Sequence, residues 1–233
     1  LGNLQRPYVG LYDTYAPGAD FLVVRIVLAT ACPKHWVVHQ LDVKSDFLNG
    51  YIDEEIYMQL PPQYSRADEK VCKLKRSIYG LRQAPRALNK RLCEDLKGCG
   101  FKSLVNVESV FYGFITGSVV YLIIYVDDIL VASSSEQAVL TAKKSLRELY
   151  TITDLGEAEY FLEVKIEREH NRLKLSQESY VHAVLEQYGM QDCKPVISPM
   201  VQASDLMSKS PRSDSEASRM AGVPYREAIG SLL

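Results

Sequence analysis

Two adjacent acids, Asp127 and Asp128, lie inside an otherwise apolar stretch, Tyr121-Leu-Ile-Ile-Tyr-Val-Asp-Asp-Ile-Leu-Val-Ala132. The Val, Ile and Tyr content on both sides predicts a β-hairpin buried on at least one face, with the acids at its turn. Two carboxylates in an embedded turn lose hydration and repel each other unless something positive neutralises them. Carboxylate oxygens are the ligands that Mg2+ and Mn2+ prefer, so a divalent cation is the expected partner. The competing explanation is a plain turn, because Asp bonds readily to nearby backbone.

The metal explanation needs a further carboxylate from elsewhere in the chain. Asp42 is the best candidate. The run Trp36-Val-Val-His-Gln-Leu-Asp-Val43 reads as a strand with Asp42 near its C-terminal end, and Asn49-Gly50 marks a turn beyond it. An ordinary strand-end acid is the alternative.

Three segments occur in a fixed order: Leu41-Asp-Val-Lys-Ser-Asp-Phe-Leu-Asn-Gly50, Ser77-Ile-Tyr-Gly-Leu-Arg-Gln-Ala-Pro-Arg86 and Tyr125-Val-Asp-Asp128. Together they resemble the reverse transcriptase of copia-type retrotransposons, part of a pol polyprotein. Weaker blocks extend the likeness over nearly the whole chain: Asp13-Thr-Tyr-Ala-Pro17, Asp154-Leu-Gly156, Tyr160-Phe-Leu162, Leu175-Ser-Gln177, Cys193-Lys-Pro195 and Pro224-Tyr-Arg-Glu227. Each motif alone is weak. Three in register are specific.

The resemblance implies an RNA-directed DNA polymerase of palm-and-fingers architecture. Its reaction is phosphoryl transfer from a dNTP to a primer 3′-hydroxyl, carried by two Mg2+ ions, with Mn2+ as a substitute. By this likeness Asp42, Asp127 and Asp128 are the catalytic metal carboxylates, and the carbonyl of Val43 is a further ligand. Phe47 lies under the incoming sugar. Tyr79, Gly80 and Gln83 line the nucleotide and template path. Tyr160, Phe161 and Leu162 belong to the hairpin that holds the primer end. The partners implied are an RNA or DNA template–primer and dNTPs. The location implied is intracellular, in cytoplasmic virus-like particles or the nucleus.

The net charge of −2 is unusual for a nucleic-acid binder, but the distribution matters more than the sum. Lys70, Lys73, Lys75, Arg76, Arg82, Arg86, Lys90 and Arg91 fall in a stretch without one acid. Such a patch can hold a phosphate backbone, with salt-sensitive affinity. A solvated basic face is the competing reading. The five cysteines are scattered without a CxxC pair, which argues against zinc and against a disulfide framework. No signal peptide is evident and no apolar run is long enough to span a bilayer, so no membrane partner is expected. The four histidines show no ligand spacing. His35 and His39 read as structural or surface residues. Oligomeric state is not legible.

The expected fold class is α+β: an antiparallel palm sheet covered on one face by helices from about Ala19, Ala87 and Ser135, with partial fingers near 51–90. Residues 1–199 would form the reverse transcriptase domain with the fingers N-terminus missing. Residues 201–220 would be a mobile linker, and 221–233 the start of a truncated connection segment.

Several positions depart from the family pattern. Asp46 stands where a small residue is usual beside the nucleotide. If it faces inward, each like-charge pair at ~4 Å costs roughly 4 kcal/mol at an effective dielectric near 20. Glu163 replaces a Gly in the primer hairpin and adds strain if φ is positive there. Leu88-Asn89 lies where larger aromatic residues are usual, and Val107-Glu108 replaces an Asp-Pro. The surroundings look eroded around intact metal ligands, which predicts a weakly active copy. A non-catalytic nucleic-acid-binding module and an inactive structural remnant are the alternatives.

Overall fold

A computed structural model of the chain describes residues 18–44, 46–60, 71–169, 172–197 and 221–232, with isolated positions 5, 14, 16, 215 and 218. Two compact units emerge, Leu1–Ser176 and Gln177–Leu233.

The first unit is built on a six-stranded antiparallel sheet. Its strands are β1 (Val37–Val43), β4 (Lys102–Leu104), β5 (Val107–Ile115), β6 (Ser118–Tyr125), β7 (Asp128–Ser133) and β8 (Ile152–Glu157), in the order β4-β5-β6-β7-β1-β8. A separate hairpin pairs β2 (Tyr57–Gln59) with β3 (Val71–Lys73). A small sheet joins β9 (Tyr160–Phe161), β10 (Val164–Glu169) and β11 (Arg172–Ser176).

Both faces of the large sheet are covered, which is why β6 and β7 read as nearly continuous apolar runs rather than alternating ones. Strand alternation sorts their residues into two cores. Leu41, Val43, Leu122, Ile124, Ile129 and Val131 face α2 (Ala84–Gly98) and α3 (Glu136–Leu149). Val38, Ile123, Leu130 and Ala132 face α1 (Phe21–Ala31) and, through Phe161 and Ile166, the small sheet. The expected single helical layer is therefore corrected: α1 packs on the face opposite α2 and α3. Helical periodicity predicts that a helix has an apolar stripe, not which side of a two-faced sheet receives it.

Local signals set the helix ends. Asp20 caps α1 by accepting from the Leu22 N–H at 2.8 Å, and Ser135 caps α3 by accepting from the Ala138 N–H. Along α2, Leu88, Leu92 and Leu96 are buried at helical spacing. In α3 the buried set is Ala138, Val139, Ala142, Lys143 and Leu146. Leu149 is exposed because the helix ends there and Tyr150 takes the buried place.

Lys143 is a buried lysine in this otherwise apolar face. It donates to Asp154 Oδ1 on β8 at 2.7 Å and contacts Nδ1 of His39 on β1. Arg147 holds the other oxygen of Asp154 at 2.8 Å. Burial raises the Asp154 carboxyl, but the Lys143 and Gly156 hydrogen bonds and the two cations outweigh it, so its pKa is lowered. Burial, and then Lys143, push the His39 imidazole below its ordinary value, against Asp154, Glu157 and Glu136. The unfolded chain thus takes up the His39 proton more readily than the folded one. The contribution is complete above the unfolded value of about 6.5 and is lost as pH falls through it toward the lower folded value. Thermal unfolding should show stability declining from pH 7.5 to 5.5, and His39→Gln should flatten that decline. An unchanged slope in the variant would exclude His39 as its source.

The second unit holds α4 (Glu178–Gln187) and α5 (Tyr225–Leu232). Tyr180 donates to the Ser231 carbonyl at 2.8 Å and the Tyr188 hydroxyl lies 3.2 Å from Ser231 Oγ, joining the two helices. Ser176 ends β11, and Gln177 takes the N-cap position of α4 without a side-chain hydrogen bond. The expected linker over 201–220 lies outside the described residues, apart from positions 215 and 218. Among the described residues, no helix is long and apolar enough to cross a membrane.

Candidate active site

Strand β1 lies between β7 and β8, and its register with β7 places Asp42 directly opposite Asp128. Directly paired residues project to the same face, so two carboxylates far apart in sequence meet on the α1 side of the sheet. The tandem acids sit where the apolar pattern predicts. Tyr125 pairs with Asp128 across a two-residue turn of Val126 and Asp127. The Asp127 carbonyl accepts from the Val43 N–H at 2.9 Å, which ties the turn to the end of β1.

Val126 has φ 54°. Positive φ at the first turn position is the glycine slot of a type II′ hairpin turn, and a β-branched residue there is strained by about 1–3 kcal/mol. The turn is held in this form by the long apolar strands on either side, whose pairing fixes the register.

The electrostatics of the pair are unbalanced. Asp42 Oδ2 lies 2.6 Å from the Lys44 ammonium, without the alignment of a hydrogen bond, and this buried oxygen has no hydrogen-bond partner. Asp128 Oδ1 accepts from Gln40 Nε2 at 2.9 Å. Burial raises the Asp128 pKa, the Gln40 hydrogen bond opposes this, and the negative charge of Asp42 adds to the rise. A carboxylate oxygen without a hydrogen bond, met only by an exposed ammonium, beside a second, reluctantly ionised carboxylate fits a divalent cation. Among the described residues, no three His, Cys, Asp or Glu side chains are already gathered tightly enough to hold one. Three carboxylates repel until a cation joins them, so the third has no reason to close in beforehand.

Phe47 lies on the short 3-10 turn Asp46–Asn49 that follows β1. It meets Tyr79 edge to face, with ring centroids 4.9 Å apart. The turn is pressed against α2 at Gly50, where a Cβ would come within 2.8 Å of the Ala87 and Leu88 backbone. Gly50 therefore admits no side chain, and this close approach sets Phe47 relative to α2. Gly80 has φ 90°, a conformation glycine adopts freely. The side chain of Asp46 lies outside the described residues. Beside the turn a cavity of about 270 Å3 opens between Pro85, Leu88 and Asn89 of α2, Gly18, and Tyr125 and Val126.

Other expected site residues stand differently. Gln83 is buried rather than lining an open path, and its side-chain Oε1 accepts from Gln5 Nε2 at 2.9 Å. Its place at the N-cap of α2 turns it inward. Tyr160 is half exposed, whereas Phe161 is a core residue and Leu162 packs beside it. Neighbours on a strand point to opposite faces, so Phe161 supports the hairpin and cannot itself touch a primer. The basic stretch is partly neutralised by acids that lie outside it on both sides. Lys73 pairs with Glu55, Lys90 with Asp53 at 2.7 Å and Arg91 with Asp95 at 2.8 Å. The Arg76 and Arg91 guanidinium groups flank Tyr51 at 5.4 and 5.3 Å from its ring centroid. Lys75 and Arg82 are exposed, and Lys70 lies outside the described residues. Sequence reasoning passed over Gln40, Lys44 and Lys143. Only the same-face spacing of Gln40 and Asp42 offered a hint.

The turn between β9 and β10 carries both its central residues in the left-handed region, Leu162 at φ 51° and Glu163 at φ 62°. Asn-Gly suits this type I′ geometry. An L-residue there costs about 1–2 kcal/mol, so Glu163→Gly should stabilise the chain by about 1 kcal/mol in denaturant titration. A destabilised variant would show that the Glu163 side chain holds the turn.

The sequence matches the family model described as reverse transcriptase (RNA-dependent DNA polymerase) over residues 1–202. The chain belongs to this family. More narrowly, its relatives are Pol polyproteins of copia-type transposons. It is 34% identical over its full length to the retrovirus-related Pol polyprotein from transposon TNT 1-94 of Nicotiana tabacum, of which it covers 18%. It is 34% identical over 99% of its length to the corresponding polyprotein from transposon RE1 of Arabidopsis thaliana, covering 16% of it. A putative transposon Ty5-1 protein of Saccharomyces cerevisiae is 29% identical over 83% of the chain, which covers 62% of that protein. The chain thus spans less than a fifth of the plant polyproteins it matches. The family works on template–primer and nucleotides and uses a divalent cation.

Proposed function

We propose that this chain is the nucleotidyl-transfer domain of a copia-type reverse transcriptase, with Asp42, Asp127 and Asp128 as its metal carboxylates. The observation that carries this reading is the register that sets Asp42 opposite Asp128. The Val43 carbonyl, beside Asp42 and next to the Asp127 backbone, is the proposed additional oxygen ligand. Bound Mg2+, or Mn2+ in its place, would acidify the attacking hydroxyl and offset the negative charge on the leaving oxygen and the triphosphate.

The chain's own residues do the positioning. Phe47, braced by Tyr79, forms a flat apolar floor suited to a deoxyribose and crowded against a 2′-hydroxyl. The cavity beside Val126 offers an apolar wall for a base next to the acids. Tyr160, held up by Phe161, and the exposed Lys75 and Arg82 are suited to template–primer. The unfavourable Leu162-Glu163 turn, with Glu163 where the family pattern has a Gly, supports weak activity for this copy.

The test is single-nucleotide primer extension on an RNA template, with Mn2+ or Mg2+ and excess chain. Incorporation that depends on Asp42 and on the tandem acids supports the proposal. Template–primer binding without incorporation would favour a binding module instead.

A further inference from the structure

We infer that Gln40 is a positioning residue for the metal-binding carboxylate of Asp128, an inference that rests on the function proposed above. Gln40 lies on β1 two residues before Asp42, so both project to the same face. It pairs in register with Leu130, which makes Asp128 its diagonal neighbour. Its side chain is nearly buried among apolar residues, with only 8% of the residue exposed. An amide in such a place costs desolvation energy that a Leu or Met of similar volume would not. Its hydrogen bond goes to Asp128 Oδ1 at 2.9 Å.

That contact has two consequences. A hydrogen bond to a carboxylate is charge-assisted and directional, so it fixes the plane of the Asp128 side chain. It also occupies one oxygen and leaves the other to turn toward Asp42 and a shared cation. Without it, a single aspartate on a strand end would sample rotamers and would face Asp42 with nothing holding it charged. Outer partners of this kind typically carry a 10–100-fold effect on metal affinity when removed.

The experiment uses the full chain and Mn2+ alone, reading free ion by its paramagnetic resonance signal. Wild type should bind Mn2+, and Asp42→Asn and Asp128→Asn should lose it. Gln40→Met, which keeps the volume and removes the donor, should bind roughly 10–100-fold more weakly while unfolding cooperatively. A second reading needs no variant. The side-chain amide resonances of Gln40 in the wild-type chain should shift when Mg2+ is added. Gln40→Met affinity equal to wild type, or Gln40 amide resonances indifferent to Mg2+, overturns the inference and leaves the metal site standing. Mn2+ binding that survives both aspartate replacements overturns the metal site and the inference with it.

Discussion

Asp127→Ala should abolish template-directed nucleotide addition while the chain remains folded. Loss of one carboxylate from a two-metal centre forfeits several kcal/mol of charge stabilisation, on the order of a 10³-fold drop in rate. The backbone ties of this turn stay in place. The Val43 hydrogen bond goes to the Asp127 backbone carbonyl, which alanine keeps, and the strands around the turn are bound by their own ladder. The unfolding midpoint should therefore stay close to that of wild type. Asp128→Ala makes an informative contrast, because it deprives the buried Gln40 amide of its acceptor. That variant should lose activity and some stability together. Retained incorporation in Asp127→Ala would refute the catalytic assignment, and an unfolded protein would refute the separation of site from scaffold.

Reversing Lys75 and Arg82 together should weaken template–primer binding about 10²-fold at low salt and flatten the plot of log affinity against log salt by roughly two units. These two positions are exposed, whereas Lys73, Lys90 and Arg91 already have carboxylate partners. Reversing the paired residues would disturb local structure as well as binding, and so would not isolate the phosphate term. Binding measured by fluorescence anisotropy over a salt series separates the cases. An unchanged slope in the double variant would place the nucleic acid on another surface.

The parts of this fold that the sequence made legible are those where periodicity and burial agree. The hairpin around Asp127 and Asp128 was readable because both its strands are apolar throughout. The helix near Ala87 was readable too, and α2 buries Leu88, Leu92 and Leu96 at helical spacing. The side of the sheet taken by α1 was not, since a sheet buried on both faces gives a helix two equivalent places to pack. Nor were β4, β5 and β8 predicted. In β8, Ile152–Glu157, the pattern mixes exposed and half-buried positions and contains Gly156 at φ 79°, which looks like a turn. The left-handed Leu162-Glu163 turn splits β9 from β10, and neither residue signals a turn by its chemistry.

The candidate site divides in the same way. Pairing of Asp42 with Asp128 could be anticipated only by requiring a partner for the tandem acids, because register between distant strands is not encoded locally. The basic stretch was legible as charge but not as surface: Asp53, Glu55 and Asp95 neutralise part of it from positions outside the run. Phe161 is absorbed by the core because the strand alternation that exposes Tyr160 buries its neighbour. Buried polar residues such as Gln40 and Lys143 escaped notice because their partners lie on other strands or helices.

The central claim is that a divalent cation belongs between β1 and the β6–β7 turn. Crystals of the chain soaked in Mn2+ and measured at the manganese absorption edge test it directly. The account predicts an anomalous peak in contact with Asp42 and the tandem acids, with the Lys44 ammonium displaced from Asp42 Oδ2. Saturating Mn2+ that leaves this position empty, with Lys44 still against Asp42, would contradict it.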